Sequence, residues 1–285
     1  MISSTRYRAT AEIARQSQLS QEISKLQESI STNKRLAAPS DDPTAANRIS
    51  EIRQTQASQA VWSTNIKSGQ ATSDTADSTL GSVQTLLNRA KELMLSARND
   101  STSDIDRQSI ANEIRGLVTD LNTYAQTADQ NGRSLFPTGA VLAIPVSDSL
   151  NLPASATRAE VFDQVPTASG IKTVASILTD AADSLGLTNV TARNAGVDAS
   201  LAAIDAASAH VTQARADQGV RGQRFDDAAT RLQASSDALT AERIDLEDTD
   251  LTYALSTYQA KQVSLQAAQT VFAQSHRSSL FDLLR

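Results

Sequence analysis

Cysteine is absent, which excludes disulfides and thiolate metal sites alike. The two histidines, His210 and His276, stand far apart, with no second histidine at ligand spacing. They read as solvated or structural rather than as a metal or general-base centre. Aromatics make up 4% of the residues, so no aromatic-rich globular core is expected and long, thin helical interfaces are. Proline is confined to Pro39, Pro43 and four positions from Pro137 to Pro166, which leaves the other stretches free to be helical. No apolar run approaches the roughly 20 residues needed to cross a bilayer, so no membrane insertion is expected. The segment Met1-Ile2-Ser3-Ser4-Thr5-Arg6-Tyr7 lacks the apolar core of a signal peptide. The expectation is a protein that is soluble, or that leaves the cell without cleavage. Net charge is −6 with both signs interspersed, and the absence of a basic face argues against nucleic acid as a partner. Neither GxSxG, a P-loop, GxGxxG nor HExxH occurs. No catalytic residue, cofactor or metal is assigned, and the sequence reads as that of a non-enzyme.

What the sequence does have is apolar patterning at its ends. Leu19, Ile23, Leu26 and Ile30 alternate steps of four and three near one terminus, and Leu251, Tyr258, Leu265 and Phe272 recur every seven residues near the other, with Leu255 alongside. A narrow stripe at that period belongs to a helix packing along another helix. Such stripes serve either as the core of an internal bundle or as an intermolecular surface. Their place at both extremes of the sequence favours assembly. Residues 3 to about 36 read as one helix. After the break at Pro39, Asp42 is expected to cap a second helix and Pro43 to occupy its first position. That helix should run to about Ala97, along Ile52, Gln59, Ile66, Ser73, Leu80, Leu87 and Met94. Ser103 opens a third helix, expected to stop at the turn signal Asn131-Gly132.

Residues 133–166 read as loops and short strands, the candidate for an exposed insert. Helix is expected again over 171–185, then from Val197 to about Ser275, with a local loosening at Gly219 and Gly222. Phe225, Leu232, Leu239 and Leu246 form a stripe out of phase with the series Ile244, Leu251, Tyr258, Leu265 and Phe272, so the packing partner should change near Glu242 to Asp250. The fold class expected is mainly α. Long coiled-coil-like helices from both termini pack together, with a small irregular or β tip in the middle. The organisation is nested: 1–40 with 245–285, then 41–136 with 171–244, then a tip over 137–170. The acidic clusters Asp41-Asp42 and Glu247-Asp248-Thr249-Asp250 offer acid–base chemistry or a hard-cation site. A helix cap and a polar knob at the register change account for them better.

Several segments carry a family resemblance. Arg35-Leu36-Ala37-Ala38-Pro39-Ser40-Asp41-Asp42-Pro43 resembles the loop between the first two helices of the flagellin superfamily of bacterial axial proteins. Asn131-Gly132-Arg133-Ser134-Leu135-Phe136, Gly219-Val220-Arg221-Gly222 and Leu246-Glu247-Asp248-Thr249-Asp250 resemble further segments of that family, in the family's order. The Pro-Ser-Asp-Asp-Pro form and the closing Ser279-Leu280-Phe281-Asp282-Leu283-Leu284 are more similar to the branch that joins hook to filament than to filament-forming flagellins. The resemblance implies a structural role outside the cell in the bacterial flagellum, after type III export without cleavage. Its terminal helices would form an inner, tube-forming domain. Leu19, Ile23, Leu26, Ile30, Leu251, Leu255, Tyr258, Leu265 and Phe272 would then be the assembly interface. Asp41, Asp42, Pro43, Glu247 and Asp248 would be the inter-domain hinge. The implied partners are flagellin, another hook-associated protein, further copies of the same protein, and an export chaperone with its apparatus. The alternatives are a short flagellin forming the filament itself and, from other classes, a cytosolic helical adaptor or an enzyme.

Overall fold

The computed structural model describes residues 2–36, 38–99 and 101–282, and side chains between 7 and 274 except those at 8, 37 and 100. The His276 side chain and the end of the closing segment, 283–285, lie outside the described residues. The elements in order are α1 (Ile2–Thr32), α2 (Pro43–Ala97), α3 (Asp104–Ala125), β1 (Ala143–Pro145), β2 (Asn151–Pro153), a π-helical turn (Ala159–Asp163), β3 (Val165–Thr167), β4 (Gly170–Lys172), α4 (Val174–Leu185), α5 (Val190–Glu247) and α6 (Leu251–Asp282). The fold is mainly α with a small antiparallel β portion in the middle, as the patterning predicts. Two compact units divide it, residues 1–57 with 235–285, and residues 58–234.

In the central unit α2 and α5 run antiparallel, joined by polar pairs along their length. Asp77 takes two bonds from Arg215 (2.9 and 3.1 Å), Gln84 reaches Ser208 (2.6 Å) and Lys91 reaches Asp205 (2.6 Å). The core beneath holds Leu80, Val83, Leu87 and Met94 of α2, Ile114 and Leu121 of α3, Ile177 and Leu178 of α4, and Ile204 and Val211 of α5. The stripe read along α2 is therefore its buried face, including the polar members Gln59 and Ser73. Ser73 is tolerated there because the buried Gln218 donates to its Oγ at 2.8 Å, which spares an unmet polar group.

Helix boundaries follow local chemistry. Ser103 caps α3 by accepting from the Asp106 amide, but the helix ends at Ala125, before the turn at Asn131-Gly132. Residues 171–172 belong to β4, and α4 starts only after Thr173, whose hydroxyl forms a reciprocal capping box with Ser176. α5 passes through Gly219 and Gly222 as unbroken helix. The break in the last helical stretch lies at 248–250 instead, where α5 ends and α6 begins.

The segment 137–170, read from the sequence as an exposed insert, is also anchored by a minority of buried residues. Its hairpins, Ala143–Pro145 with Asn151–Pro153 and Val165–Thr167 with Gly170–Lys172, do present exposed residues. Yet Val146, Leu152, Ala154, Ala156, Val161, Phe162 and Val165 are buried. Leu152, Val146 and Ala154 complete a cluster with Ile66 and Phe225, while Phe162 meets Phe136 edge-on at 5.3 Å. The carbonyl of Ala154 accepts from Gln218 at 2.8 Å. Single apolar residues spaced among turns carry no periodic signal, so their burial is a tertiary matter.

Candidate assembly interface

In the terminal unit α1 packs along α6, and Lys261 of α6 is paired with Glu22 of α1. The residues read as stripes divide by position. Leu19, Ile23, Leu26 and Ile30 are half-buried, as are Tyr258, Leu265 and Phe272. These lie on the sides on which the two helices meet, as their shared period requires. Leu251 and Leu255 are exposed. Further apolar residues that no stripe picked out are more open still: Ile13 on α1 is 56% exposed, and Tyr253, Val263 and Val271 on α6 are 70%, 66% and 65% exposed.

At about 100° per residue, Val263 lies opposite the seam formed by Tyr258, Leu265 and Phe272, and Tyr253, Leu255 and Val271 flank it. Outside the seam turned to α1, α6 thus bears single exposed apolar residues among polar ones, with Thr252, Ser256, Gln259, Gln266 and Thr270 sharing the face of Val263. A seven-residue period marks the seam and passes over such single residues.

Beneath the α1/α6 pair two elbows are tied to each other. α1 ends at Thr32, and Asn33 turns the backbone in the left-handed region (φ 55°) that asparagine tolerates. Lys34 forms an antiparallel bridge with Asp248. The Arg35 amide donates to the Glu247 carbonyl at 2.8 Å, and its guanidinium donates twice to the Leu246 carbonyl, at 3.3 and 3.0 Å. Those carbonyls end α5 and have no partner within the helix, so Arg35 supplies their cap.

The predicted hinge residues all gather here. Asp41 accepts from the Ala38 amide (2.9 Å) and pairs with Lys25 (3.5 Å). Asp42 accepts from the Ala45 amide at 3.0 Å and so caps α2, with Pro43 in the first position. Glu247 pairs with Arg53 at 2.5 Å. Asp250 caps α6 through the amides of Thr252 (2.9 Å) and Tyr253 (3.0 Å). Sequence reasoning took the cluster 247–250 for a polar knob and overlooked the roles of Arg35 and Asp250. An aspartate immediately before a helical run is the available signal for the second.

Charge reinforces the arrangement. Arg48 binds Glu242 through both carboxylate oxygens, at 2.6 and 3.0 Å. These hydrogen bonds hold the Glu242 carboxyl below its ordinary range and push the guanidinium higher still. Glu22 is likewise lowered, first by its hydrogen bond from Lys261 and then by that residue's charge. Nothing in this set resembles a reaction centre. It consists of helix caps, surface ion pairs and exposed apolar side chains, the equipment of a structural element.

The bacterial flagellin N-terminal helical region matches residues 4–139, and the bacterial flagellin C-terminal helical region matches residues 201–284. The two matches together span most of the chain, which belongs to the bacterial flagellin family of structural, non-enzymatic proteins. Flagellar hook-associated protein 3 of Escherichia coli is 27% identical over 90% of this chain and 91% of its own. The flagellin of Bacillus subtilis is 28% identical over 90% of this chain and 91% of its own. In fold, the crystal structure of flagellar hook-associated protein 3 from Legionella pneumophila superposes with a TM-score of 0.63 at 16% identity, covering 70% of this chain and 98% of that one.

Proposed function

We propose that this protein joins the hook side of the bacterial flagellum to the flagellin filament through lateral packing of its terminal helices. The observation that carries this reading is the set of exposed apolar side chains on α6. Tyr253, Leu255, Val263 and Val271 are all exposed on a helix whose other side is already occupied by α1. Each such residue contributes about 1.5–3 kcal/mol when it leaves water, so a few per subunit, repeated around a tube, offset the cost of association. Leu19, Ile23, Leu26, Ile30, Tyr258, Leu265 and Phe272 act in two ways: they hold the α1/α6 pair, and their half-open flanks meet neighbouring subunits. Leu251 and Leu255 extend the outer face.

Residues 1–40 and 245–285 are the inner, tube-forming part of this reading, and 41–136 with 171–244 the outer helical part. The elbow at Asp41, Asp42, Pro43, Glu247 and Asp248 sets the direction in which the terminal pair leaves α2 and α5. Partners are flagellin, a second hook-associated protein and copies of this protein, with an export chaperone and the flagellar export apparatus acting before assembly. The similarity to hook-associated protein 3 over nine-tenths of both sequences supports the junction. The similarity to a flagellin leaves filament formation as the second and less favoured reading.

Deletion separates the two. Cells without a junction protein release monomeric flagellin into the medium, whereas cells without their filament subunit release none. Restoring the gene as Val263→Asp with Val271→Asp should leave the isolated protein's helical signal and melting unchanged and flagellin still unattached. Wild-type filaments in that strain would refute the assignment of the α6 face.

A further inference from the structure

Asn131-Gly132 is the one Asn-Gly dipeptide in the sequence, and both residues are exposed. In an unfolded polypeptide this dipeptide is the most labile of asparagine contexts, because glycine leaves its backbone nitrogen unobstructed. That nitrogen, its proton taken by base, attacks Asn131 Cγ. A new carbon–nitrogen bond forms, the bond from Cγ to the Nδ2 amide nitrogen breaks, and ammonia leaves with the proton returned to it. Water then opens the resulting succinimide at either carbonyl, giving aspartate or isoaspartate.

The folded turn opposes the first step. The Gly132 N–H donates to the Asp129 carbonyl at 2.9 Å, so the attacking nitrogen is already engaged. The Asp129 carboxylate holds the turn closed from below. Its Oδ1 accepts from the amides of Asn131 (2.8 Å) and Arg133 (2.9 Å), and its Oδ2 accepts from the Arg133 guanidinium at 3.1 Å. The Asp129 amide in turn donates to the Arg133 carbonyl at 2.7 Å. Gly132 sits at φ 74°, a conformation that a bulkier residue resists. This Asp129 side chain is only 6% exposed. Burial alone would raise its pKa, but the two amides and the guanidinium together bring it below the ordinary carboxylate value. The lock is therefore charged throughout the neutral and alkaline range in which deamidation runs.

We propose that Asn131 is a latent deamidation site that the folded turn keeps silent, with the Asp129 carboxylate as the residue that silences it. The consequence of reaction is local unfolding of the turn. Isoaspartate adds a methylene to the main chain and a second carboxylate beside Asp129. Leu135 and Phe136, each 1% exposed, follow within five residues and depend on the turn for their entry into the core. A molecule that reacts before folding loses that entry, so Asn131 marks molecules left unfolded too long.

The test uses the full-length protein in mildly alkaline buffer, folded or in denaturing urea. Amide-to-acid conversion at Asn131 is followed by peptide mass, and isoaspartate by enzymatic methyl acceptance. Reaction requires the open turn, so the folded protein should react about tenfold more slowly or less. Asp129→Ala, confirmed folded by its helical signal, should approach the urea rate in native buffer. Equal rates for folded and unfolded wild type overturn the proposal, as does a folded Asp129→Ala protein that stays as slow as wild type. Should that variant fail to fold, amide hydrogen exchange in the wild type decides: a protected Gly132 amide supports the lock, and a freely exchanging one overturns it.

Discussion

Phe225 of α5 lies over Gly69 of α2 so closely that a Cβ on Gly69 would stand 2.3 Å from the ring. Phe225 is fully buried against Ile66 and Leu152, so the ring has no open direction in which to retreat. Glycine within a helix costs about 1 kcal/mol relative to alanine, a cost accepted here for the contact.

Gly69→Ala sets that gain against overpacking, typically about 1–3 kcal/mol. With three ring atoms within 2.8 Å, the clash should win and the central unit should lose stability. Gly116→Ala is the control. No atom would lie within 4 Å of its Cβ, and that variant should gain up to about 1 kcal/mol. Urea denaturation of both variants checks the opposite signs.

Replacing residues 147–160 with a Gly/Ser linker should destabilise the central unit, contrary to what a surface insert would allow. The swap removes Leu152, Ala154 and Ala156 from the core and takes away the carbonyl that Gln218 bonds. Losing a buried leucine alone costs about 2–5 kcal/mol. A melting temperature equal to wild type would show that this segment is dispensable packing.

The elbow should respond to two separate lesions. Asp42→Ala removes the α2 cap at about 1 kcal/mol, and Arg35→Ala leaves the Leu246 carbonyl to water at about the same cost. Hydrogen exchange should quicken at Ala45, whose amide bonds the Asp42 side chain, in the first, and at Arg35 and Thr249, whose amides bond across the elbow, in the second. Unchanged exchange at those amides, with normal swimming of cells carrying either variant, would remove the elbow from the assembly mechanism.

Acid should loosen the terminal unit. Glu22 and Glu242 are held below their ordinary value of 4.5 by Lys261 and Arg48, so each contributes stability that is present above that pH. The contribution is lost as pH falls through the lowered folded values. Both carboxylates are substantially exposed, so the effect is small and weakens with salt. A far-UV pH titration of the double variant Glu22→Gln with Glu242→Gln should show a flatter acid limb than wild type.

The sequence by itself determined the helical class, the start of α2 at Pro43, the buried stripe from Ile52 to Met94 and the gathering of both termini into one unit. Each depends on short-range chemistry or on a repeating period, which a linear pattern records directly. Only the tertiary structure decided that Tyr253, Val263 and Val271 stay exposed on α6, because single apolar residues between heptad positions carry no period of their own. The same holds for Leu152 and Phe162, whose burial depends on where Ile66, Phe225 and Phe136 happen to lie. It holds too for Arg35, which caps a helix 211 residues away at Leu246. Partners that distant are set by the path of the whole backbone, and no local window contains both ends of the bond.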